Sequence, residues 1–182
     1  MALYNTLIFL ERKSKKKGFS KPKSEFGIQL NEKQKARLTY GLREKQFSNY
    51  VKEALLKKQS NSTNTIFEFL ERRLDNVVYR IGFSNTRSGS RQIVSHGHIT
   101  VNGRKVTSPS CRVSVGDIVA IRDGSALNGL FTGLEEKIKD RSIPSWIHLD
   151  QVKKIAKIQS LPLFIQSENM FDLNMIIEFY SR

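Results

Sequence analysis

The chain has 182 residues, with 31 Lys and Arg against 17 Asp and Glu and a formal net charge of +14. An excess of this size favours a polyanionic partner, nucleic acid ahead of an anionic membrane. The excess is +10 over residues 1–60 and +4 over 61–124, while residues 125–182 are balanced. The lone Cys111 excludes an intrachain disulfide and a cysteine-rich zinc site. The apolar stretch Leu7–Leu10 is too short to span a bilayer.

Residues 1–27 are predicted to form a basic extended arm. The runs Arg12-Lys13, Lys15-Lys16-Lys17 and Lys21-Pro22-Lys23 follow neither a helical nor a strand period. Such charge runs are typical of segments that become ordered on a polyanion. A solvated terminus and a weak organelle-targeting helix are the alternatives that the composition leaves open.

Helices are predicted through the next part of the chain. We expect the first to begin at Asn31, with Gln34 completing a capping box, and to end at Gly41. A second helix is indicated by apolar residues at helical spacing, which should face the core. They are Phe47, Tyr50, Val51, Ala54 and Leu55.

A polar linker at residues 59–64 precedes a second capping-box pattern, Thr65 with Glu68. The helical period then continues to Gly82 and leaves open whether one helix or two are present. Thr86 is the N-cap candidate of a further short helix that should end at Gly97.

Beyond Gly97 the hydrophobic period changes from that of a helix to that of a strand. Asn102-Gly103 is a strong signal for a two-residue hairpin turn, which places Ile99 opposite Val106 and Thr100 opposite Lys105. Residues 118–121 predict at least one more strand. Residues 134–139 are predicted to be helical, and residues 146–149 and 175–180 to be strands or packed terminal segments.

Cationic side chains recur at helical spacing between residues 73 and 91. Arg73 and Arg80 are seven apart and are expected opposite the apolar stripe of their helix, while Arg87 and Arg91 are four apart and share a face. Guanidinium groups donate paired hydrogen bonds to phosphate oxygens, and folded RNA is recognised mainly through its shape and backbone. The pattern therefore predicts an RNA-binding surface, against the alternative of a solvated helical face.

Other residues are expected to complete this surface. Thr86, Gln92, Ser95 and Asn102 are suited to sugar hydroxyls and backbone oxygens, and His96 and Lys105 lie beside them. The helical region adds Lys33, Lys35, Arg37, Arg43 and Lys45. We expect replacement of Arg87 or Arg91 by alanine to flatten the salt dependence of RNA binding by about one phosphate contact.

Three segments carry a family resemblance. Residues 73–83, 91–106 and 115–119 resemble the RNA-binding module of the small-subunit ribosomal protein four family. That module also occurs in pseudouridine synthases, some tRNA synthetases and small stress proteins, so by itself it implies RNA binding alone. The flanking residues 29–35, 40–47 and 176–182 resemble the helical domain and C-terminus of the ribosomal family itself, which extends the resemblance from about Lys21 to Arg182.

The resemblance implies an α+β fold. A helical domain at residues 28–72, completed by residues 141–182, would carry an inserted RNA-binding module at residues 73–140, made of two helices packed on a short β-hairpin or sheet. It also implies a non-enzymatic constituent of the small ribosomal subunit that binds the 5′ domain of ribosomal RNA at a helix junction, nucleates assembly and supports translational fidelity. The implied partners are small-subunit ribosomal RNA, ribosomal protein five, other small-subunit proteins and messenger RNA where it enters the subunit.

The chain departs from the family at three places. Leu3-Tyr4-Asn5 stands where the family usually has an Arg-Tyr-x-Gly-Pro start, so contacts of the arm are in doubt. The cysteine zinc site of some relatives has no counterpart here. Residues 124–170 match poorly and lack the Arg- and Lys-rich character common in that region.

No constellation for catalysis or for a cofactor stands out. Ser95-His96-Gly97-His98 has no further ligand at metal-site spacing, Cys111 lacks a partner that would mark a nucleophile, and no phosphate-binding glycine loop is present. We expect no metal, no cofactor and no membrane. The rival functions are an RNA-modifying enzyme, for which 182 residues leave no catalytic domain, and a free-standing stress or rescue factor.

The composition also bears on the compartment. Ile, Asn, Lys, Phe and Ser are common and Ala is scarce, which is typical of an AT-rich genome. With the bacterial type of module, this bias predicts a plastid (chloroplast) ribosome, with the mitochondrion or the bacterial cytoplasm as alternatives.

Overall fold

The structure, a computed structural model, describes residues 24–57, 61–125, 128–134, 138 and 141–181. Within these residues the helices are α1 (Glu25–Thr39), α2 (Glu44–Leu56), α3 (Ser62–Glu71), α4 (Leu74–Arg80), α5 (Arg87–Ser95) and α6 (Leu173–Tyr180). The strands are β1 (Ile99–Val101), β2 (Arg104–Val106), β3 (Ile118–Ile121), β4 (Ile147–Asp150) and β5 (Ile155–Ile158). These elements confirm the predicted α+β class.

Helices α1, α2, α3 and α6 form a helical domain around one apolar core. The predicted inward face of α2 is confirmed, since Phe47 and Val51 are fully buried. Helix α6 packs along α1, and Gln29 Nε2 donates a hydrogen bond to Glu178 at 3.0 Å. The last described helix therefore completes the domain that the first one begins.

The second core belongs to the module. Helices α4 and α5 share it with a five-stranded antiparallel sheet whose strand order is β2-β1-β3-β5-β4. The predicted hairpin register is confirmed, with Ile99 opposite Val106 and Thr100 opposite Lys105. Asn102 and Gly103 have φ values of 51° and 76°, the left-handed conformation that this two-residue turn requires.

The predicted boundary at residue 141 is wrong. Strands β4 and β5 join the sheet of the module, where Ala156 lies opposite Val119, and Trp146, Ile147 and Ile158 are buried in the module's core. The module thus extends to about residue 158, and only the later segment returns to the helical domain. Of the helix predicted at residues 134–139, Leu134 and Ile138 are helical and buried, and the remainder lies outside the described residues.

The two helix starts predicted from capping boxes are wrong, because both helices begin at least one turn closer to the N-terminus of the chain. Helix α1 begins at Glu25, and the N-cap Ser24 accepts a hydrogen bond from the Gly27 amide at 3.3 Å, which leaves Asn31 within the helix. Residues 24–27 of the predicted arm are therefore a cap and helix, while residues 1–23 lie outside the described part. Helix α3 is capped by Asn61, and the Thr65 hydroxyl donates back to the Asn61 carbonyl at 3.1 Å.

Other helix ends agree better with the sequence. Thr86 caps α5 as predicted, since its hydroxyl accepts from the Gly89 amide at 3.0 Å. The helical period between residues 65 and 82 belongs to two helices and not to one, and Arg72 and Arg73 lie between them. The strand alternative for residues 175–180 is wrong, because α6 buries Leu173 and Ile176 at helical spacing against α1 and α3. No helix in the described part of the chain is both long and apolar enough to cross a bilayer.

Candidate nucleic-acid interface

A buried carboxylate joins the helical domain to the module. Glu71, at the end of α3, accepts hydrogen bonds from Arg80 Nε and Nη2 at 2.9 and 2.7 Å and from the Tyr40 hydroxyl at 2.7 Å. Asn76 Nδ2 donates to the same carboxylate at 3.0 Å. Burial would raise the pKa of Glu71, but the charge of Arg80 and the hydrogen bonds from Arg80 and Tyr40 outweigh it, so the pKa lies below its usual value. Glu71 is therefore ionised in the neutral pH range.

A second buried carboxylate, Asp75, holds two arginines. Arg73 donates to it through Nε at 3.0 Å and Nη2 at 2.7 Å, and Arg91 does so through Nε at 3.0 Å and Nη2 at 2.9 Å. The remaining nitrogens reach the helical domain: Arg73 Nη1 donates to the Tyr50 hydroxyl at 2.6 Å, and Arg91 Nη1 to the Gly41 carbonyl at 2.8 Å. Every guanidinium nitrogen of this pair thus has a protein partner.

The prediction that Arg73 and Arg80 share the helix face opposite the apolar stripe is wrong, and Arg91, predicted to share a face with Arg87, is paired with Asp75. Arg73 is not on that helix face but is the N-cap residue of α4, 2% exposed. Arg80 and Arg91 keep 30% and 35% of their side chains exposed while paired with carboxylates. The physical reason is that buried Glu71 and Asp75 require cationic partners. Whether these three arginines also contact RNA stays a prediction.

Arg87 differs from the other three arginines. Its Nε donates to the neutral Asn76 Oδ1 at 2.9 Å, and its guanidinium carbon lies 4.3 Å from the ring centre of Tyr79 and 5.1 Å from that of Tyr40. It forms no ion pair with a carboxylate in the described part of the chain. Burial lowers the pKa of Arg87, and the charge of Arg80 acts in the same direction.

Basic side chains also lie at the hairpin end of the module. We call this set the hairpin surface: His96, His98, Arg104, Lys105 and Arg122. A Cβ on Gly97, whose φ is +74°, would come within 2.1 Å of Lys105 Cε, so the stem of Lys105 lies directly on the Gly97 backbone. Burial lowers the pKa of His98, and the charges of His96, Arg122 and Lys105 act in the same direction. No member is ion-paired with a carboxylate among the residues described.

Three of the polar residues predicted to serve RNA have local structural partners. The hydroxyl of Thr86 caps α5, and Ser95 Oγ donates to the Arg91 carbonyl at 2.8 Å. Asn102 Nδ2 donates to Asp117 Oδ1 at 2.8 Å, which ties the hairpin turn to the segment before β3. Gln92 is exposed.

The five cations predicted in the helical domain differ in whether they are ion-paired. Lys33 and Arg37 lie 2.6 and 3.5 Å from Glu44, and Lys35 lies 2.5 Å from Glu32, so these three are ion-paired. Arg43 and Lys45 are exposed, and neither is ion-paired with any described carboxylate.

Sequence reasoning did not select Arg104, Arg122 or Arg141, all of which the structure places near the predicted cations. A signal was available for the first two, since Arg104 adjoins Lys105 in the hairpin and Arg122 follows a predicted strand. In the described ranges, no group of three or more His, Cys, Asp or Glu side chains is arranged to hold a metal ion.

Arg87, Arg43, Lys45 and the cations of the hairpin surface pair with no carboxylate among the described residues. With the fold, they define a basic α+β protein of the nucleic-acid-binding class. Residues 72–119 match the sequence model of a family described as S4 domain, and residues 8–71 match that of the Ribosomal protein S4/S9 N-terminal domain. Together these two matches span most of the chain up to the third strand.

Relatives give the same result. Small ribosomal subunit protein uS4 of Persephonella marina is 47% identical over 159 residues, which cover 87% of this chain and 77% of the relative. The uS4 of Aquifex aeolicus is 43% identical over 171 residues, 92% of this chain and 81% of the relative. That of Chlorobium limicola is 43% identical over 159 residues, 87% and 78% of the two chains. The chain belongs to the small ribosomal subunit protein uS4 family, which confirms the resemblance noted in its sequence.

Proposed function

We propose that the chain is a structural constituent of the small ribosomal subunit and binds its ribosomal RNA directly. Membership of the uS4 family supports this proposal, and the members reported above carry the small subunit in their names. The family consists of ribosomal structural proteins, so the chain is not an enzyme. The rival functions, an RNA-modifying enzyme or a free-standing stress or rescue factor, gain no support from these relatives.

The observation that carries the proposal is the uncompensated charge of the hairpin surface. Arg104 and Lys105 are exposed on β2, and the charges of Arg122 and Lys105 reach His98. Cations that lack protein counterions are free to replace the counterions of RNA phosphates, which is the main source of affinity in such complexes.

We assign direct RNA contacts among the predicted residues by the availability of their polar groups. One group has no ion pair or hydrogen bond with a carboxylate in the part of the chain that the structure describes: Arg87, Gln92, His96, Lys105, Arg43 and Lys45. Arg73, Arg80, Arg91, Lys33, Lys35 and Arg37 are assigned first to holding the protein in shape, since each is ion-paired. Thr86, Ser95 and Asn102 shape the cap and the hairpin turn that present the surface.

Finer parts of the function rest on the resemblance. They are binding at a helix junction of the 5′ domain, nucleation of assembly, a role in translational fidelity, contact with ribosomal protein five, and proximity to messenger RNA where it enters the subunit. The plastid location rests on composition alone, and the mitochondrion and bacterial cytoplasm are its alternatives. The relatives reported above come from bacteria.

The test is binding of the full chain to a transcript of small-subunit ribosomal RNA over a range of salt concentrations. We expect tighter binding than to a large-subunit transcript of equal length and a steep salt dependence. The double variant Arg104→Gln/Lys105→Gln should reduce the slope of log affinity against log salt by up to about 2, because each phosphate contact contributes about 0.7 to 0.9.

The matched control is Lys153→Gln/Lys157→Gln. It removes the same charge from two exposed residues, one on β5 and one on the turn before it, which β3 separates from the hairpin. A control slope close to that of the wild type supports the hairpin surface as the RNA contact. Equal slopes for both double variants would refute that assignment, and equal affinity for the two transcripts would refute the proposed function.

A further inference from the structure

Two asparagine–glycine pairs occur in the sequence, Asn102-Gly103 and Asn128-Gly129. In such a pair the glycine nitrogen can attack the side-chain carbon of the asparagine, because glycine has no Cβ to hinder the approach. The product is a cyclic imide, and the amide nitrogen of the asparagine leaves as ammonia. The two pairs share this chemistry but differ in how the fold holds the asparagine, so one molecule offers a direct comparison.

The side chain of Asn102 is held at both ends of its amide group by the segment that leads into β3. Its Nδ2 donates to Asp117 Oδ1 at 2.8 Å, and its Oδ1 accepts from the Ile118 amide at 2.9 Å. The Asn102 backbone amide also donates to the Ile118 carbonyl at 2.8 Å. Cyclisation expels Nδ2 and turns Cγ towards the glycine nitrogen, so the bonds to Asp117 and Ile118 oppose it.

The residue that holds Asn102 is itself fixed. Asp117 Oδ2 accepts from the Ser114 amide at 2.7 Å, while β1 pairs with β2 on one side and with β3 on the other. The negative charge of Asp117 has a second effect, because it opposes the negative charge that develops on Asn102 Oδ1 during an attack on Cγ. Both effects should slow cyclisation at Asn102.

Asn128 has the opposite surroundings. It is exposed, and its Oδ1 accepts from the Leu130 amide, only two residues further on, at 3.1 Å. Its Nδ2 donates no hydrogen bond to another described residue. A donor on the oxygen of the attacked carbonyl stabilises the charge that develops there, so this bond favours the reaction. An added Cβ on Gly129 would meet no atom within 4 Å, which shows open space beside the pair.

We propose that Asn128 is a site of spontaneous deamidation in the folded protein and that Asn102, through its two side-chain bonds, is protected from the same reaction. The Gly129 nitrogen forms a bond to Asn128 Cγ, the bond from Cγ to Nδ2 breaks, and Nδ2 leaves as ammonia with the proton lost from Gly129. Water then opens the imide at either carbonyl, which yields aspartate or isoaspartate. No oxidant or reductant takes part, and the inference does not depend on the proposed function.

The two products should differ in their effect on the module. Isoaspartate at position 128 adds one carbon to the main chain three residues before Phe131, which is buried and lies edge-on to His98 with 6.2 Å between the ring centres. Aspartate leaves the main chain unchanged and can accept the same hydrogen bond from the Leu130 amide. We therefore expect isoaspartate, and not aspartate, to disturb the core around Phe131.

The experiment ages the full chain at mildly alkaline pH, folded and in guanidinium chloride, and follows both positions by proteolysis and mass spectrometry. In the folded chain Asn128 should convert about tenfold faster than Asn102, because two hydrogen bonds oppose the reaction at Asn102. In guanidinium chloride the two should convert at similar rates, since both precede glycine. Gly129→Ala should slow conversion of Asn128 several-fold with an unchanged unfolding midpoint, because its Cβ enters open space.

A pair of variants tests the protection of Asn102. Asp117→Ala should speed conversion of Asn102 several-fold in the folded chain. Asp150→Ala is the matched control, since Asp150 also accepts from backbone amides in a turn of the same sheet, at 3.1 and 3.0 Å, and forms no bond to Asn102. Circular dichroism checks that both variants fold. If Asp117→Ala does not fold, the comparison of the two asparagines in the wild type still decides.

The outcomes that contradict the proposal are distinct. Equal conversion of the two asparagines in the folded chain, or faster conversion of Asn102, would overturn it. A folded chain in which neither converts, while the unfolded chain converts both, would overturn the assignment of Asn128. A folded Asp117→Ala variant whose Asn102 converts no faster than in Asp150→Ala would overturn the assigned protection.

Discussion

Replacement of Glu71 by glutamine tests how much one buried carboxylate contributes to joining the helical domain and the module. The carboxylate is fully buried and accepts from Arg80, Tyr40 and Asn76. Glutamine keeps the shape but has one oxygen acceptor, and its amide would face a donor. The change also leaves the guanidinium of Arg80 without its counterion.

The expected loss of unfolding free energy follows from these contacts. Removing one partner of a buried ion pair costs about 3–5 kcal/mol. Arg80 keeps 30% of its side chain exposed, so water recovers part of its solvation. We therefore expect a loss of about 2–4 kcal/mol for Glu71→Gln.

The assay is urea unfolding followed by two signals. Trp146 is the only tryptophan and is buried in the module, so its fluorescence reports on that core, while circular dichroism follows the helices. The pKa of folded Glu71 lies below the unfolded value, so its stabilisation is present above about pH 4.3 and is lost as the pH falls through the lower folded value. The difference in stability between wild type and Glu71→Gln should therefore shrink in acid.

A double-mutant cycle completes this test. Glu71→Gln combined with Arg80→Gln should show a coupling energy of about 1–3 kcal/mol, as directly bonded groups do. A Glu71→Gln variant within about 0.5 kcal/mol of the wild type, or a stability difference that does not change with pH, would refute the reasoning.

Two further predictions concern single positions. Gly97→Ala should lower the unfolding free energy by about 1–2 kcal/mol in urea, because alanine is strained at φ +74° and its Cβ meets the stem of Lys105; an unchanged midpoint would contradict this. Burial and the charge of Glu44 raise the pKa of Tyr180 to about 12. The contribution of the neutral hydroxyl to the unfolding free energy is therefore fully present below about pH 10 and is lost as the pH rises through 12. Tyr180→Phe should show a smaller fall in unfolding free energy over this range, and an identical pH profile would show that the hydroxyl is not coupled to folding.

The features that the sequence predicted accurately depend on neighbours in the chain. Asn102-Gly103 specifies a hairpin because few other residues adopt two successive positive φ values. Thr86 caps α5 because its hydroxyl needs only an amide three residues away. Such local chemistry is visible without knowledge of the rest of the fold.

The helix starts show where local patterns mislead. Asn31 with Gln34 and Thr65 with Glu68 both satisfy a capping box, yet both pairs lie inside helices. Helix α1 continues past Asn31 towards its N-terminus because its first turns pack against α6. The true N-caps are Ser24 and Asn61. Packing between distant helices selects them, and that packing is not visible in the residues around them.

The arginines were misplaced for a different reason. Spacing correctly put Arg87 and Arg91 on one helix, but it could not show that Arg91 would reach Asp75, 16 positions away. Glu71 and Asp75 lie within the same stretch as the arginines, so their presence was a signal that some cations have internal partners. Which arginines remain free depends on the folded geometry alone.

The pairing of α1 with α6 has a consequence for the order of synthesis. Gln29 and Glu178 are 149 positions apart, yet they bind each other in the helical domain. All five strands of the module precede α6 in the chain, so a growing polypeptide can form its sheet while α1 still lacks its partner. The helical domain is thus closed by a helix that is synthesised after the strands of the module, and a chain that stops before residue 173 would retain the module but leave α1 without α6.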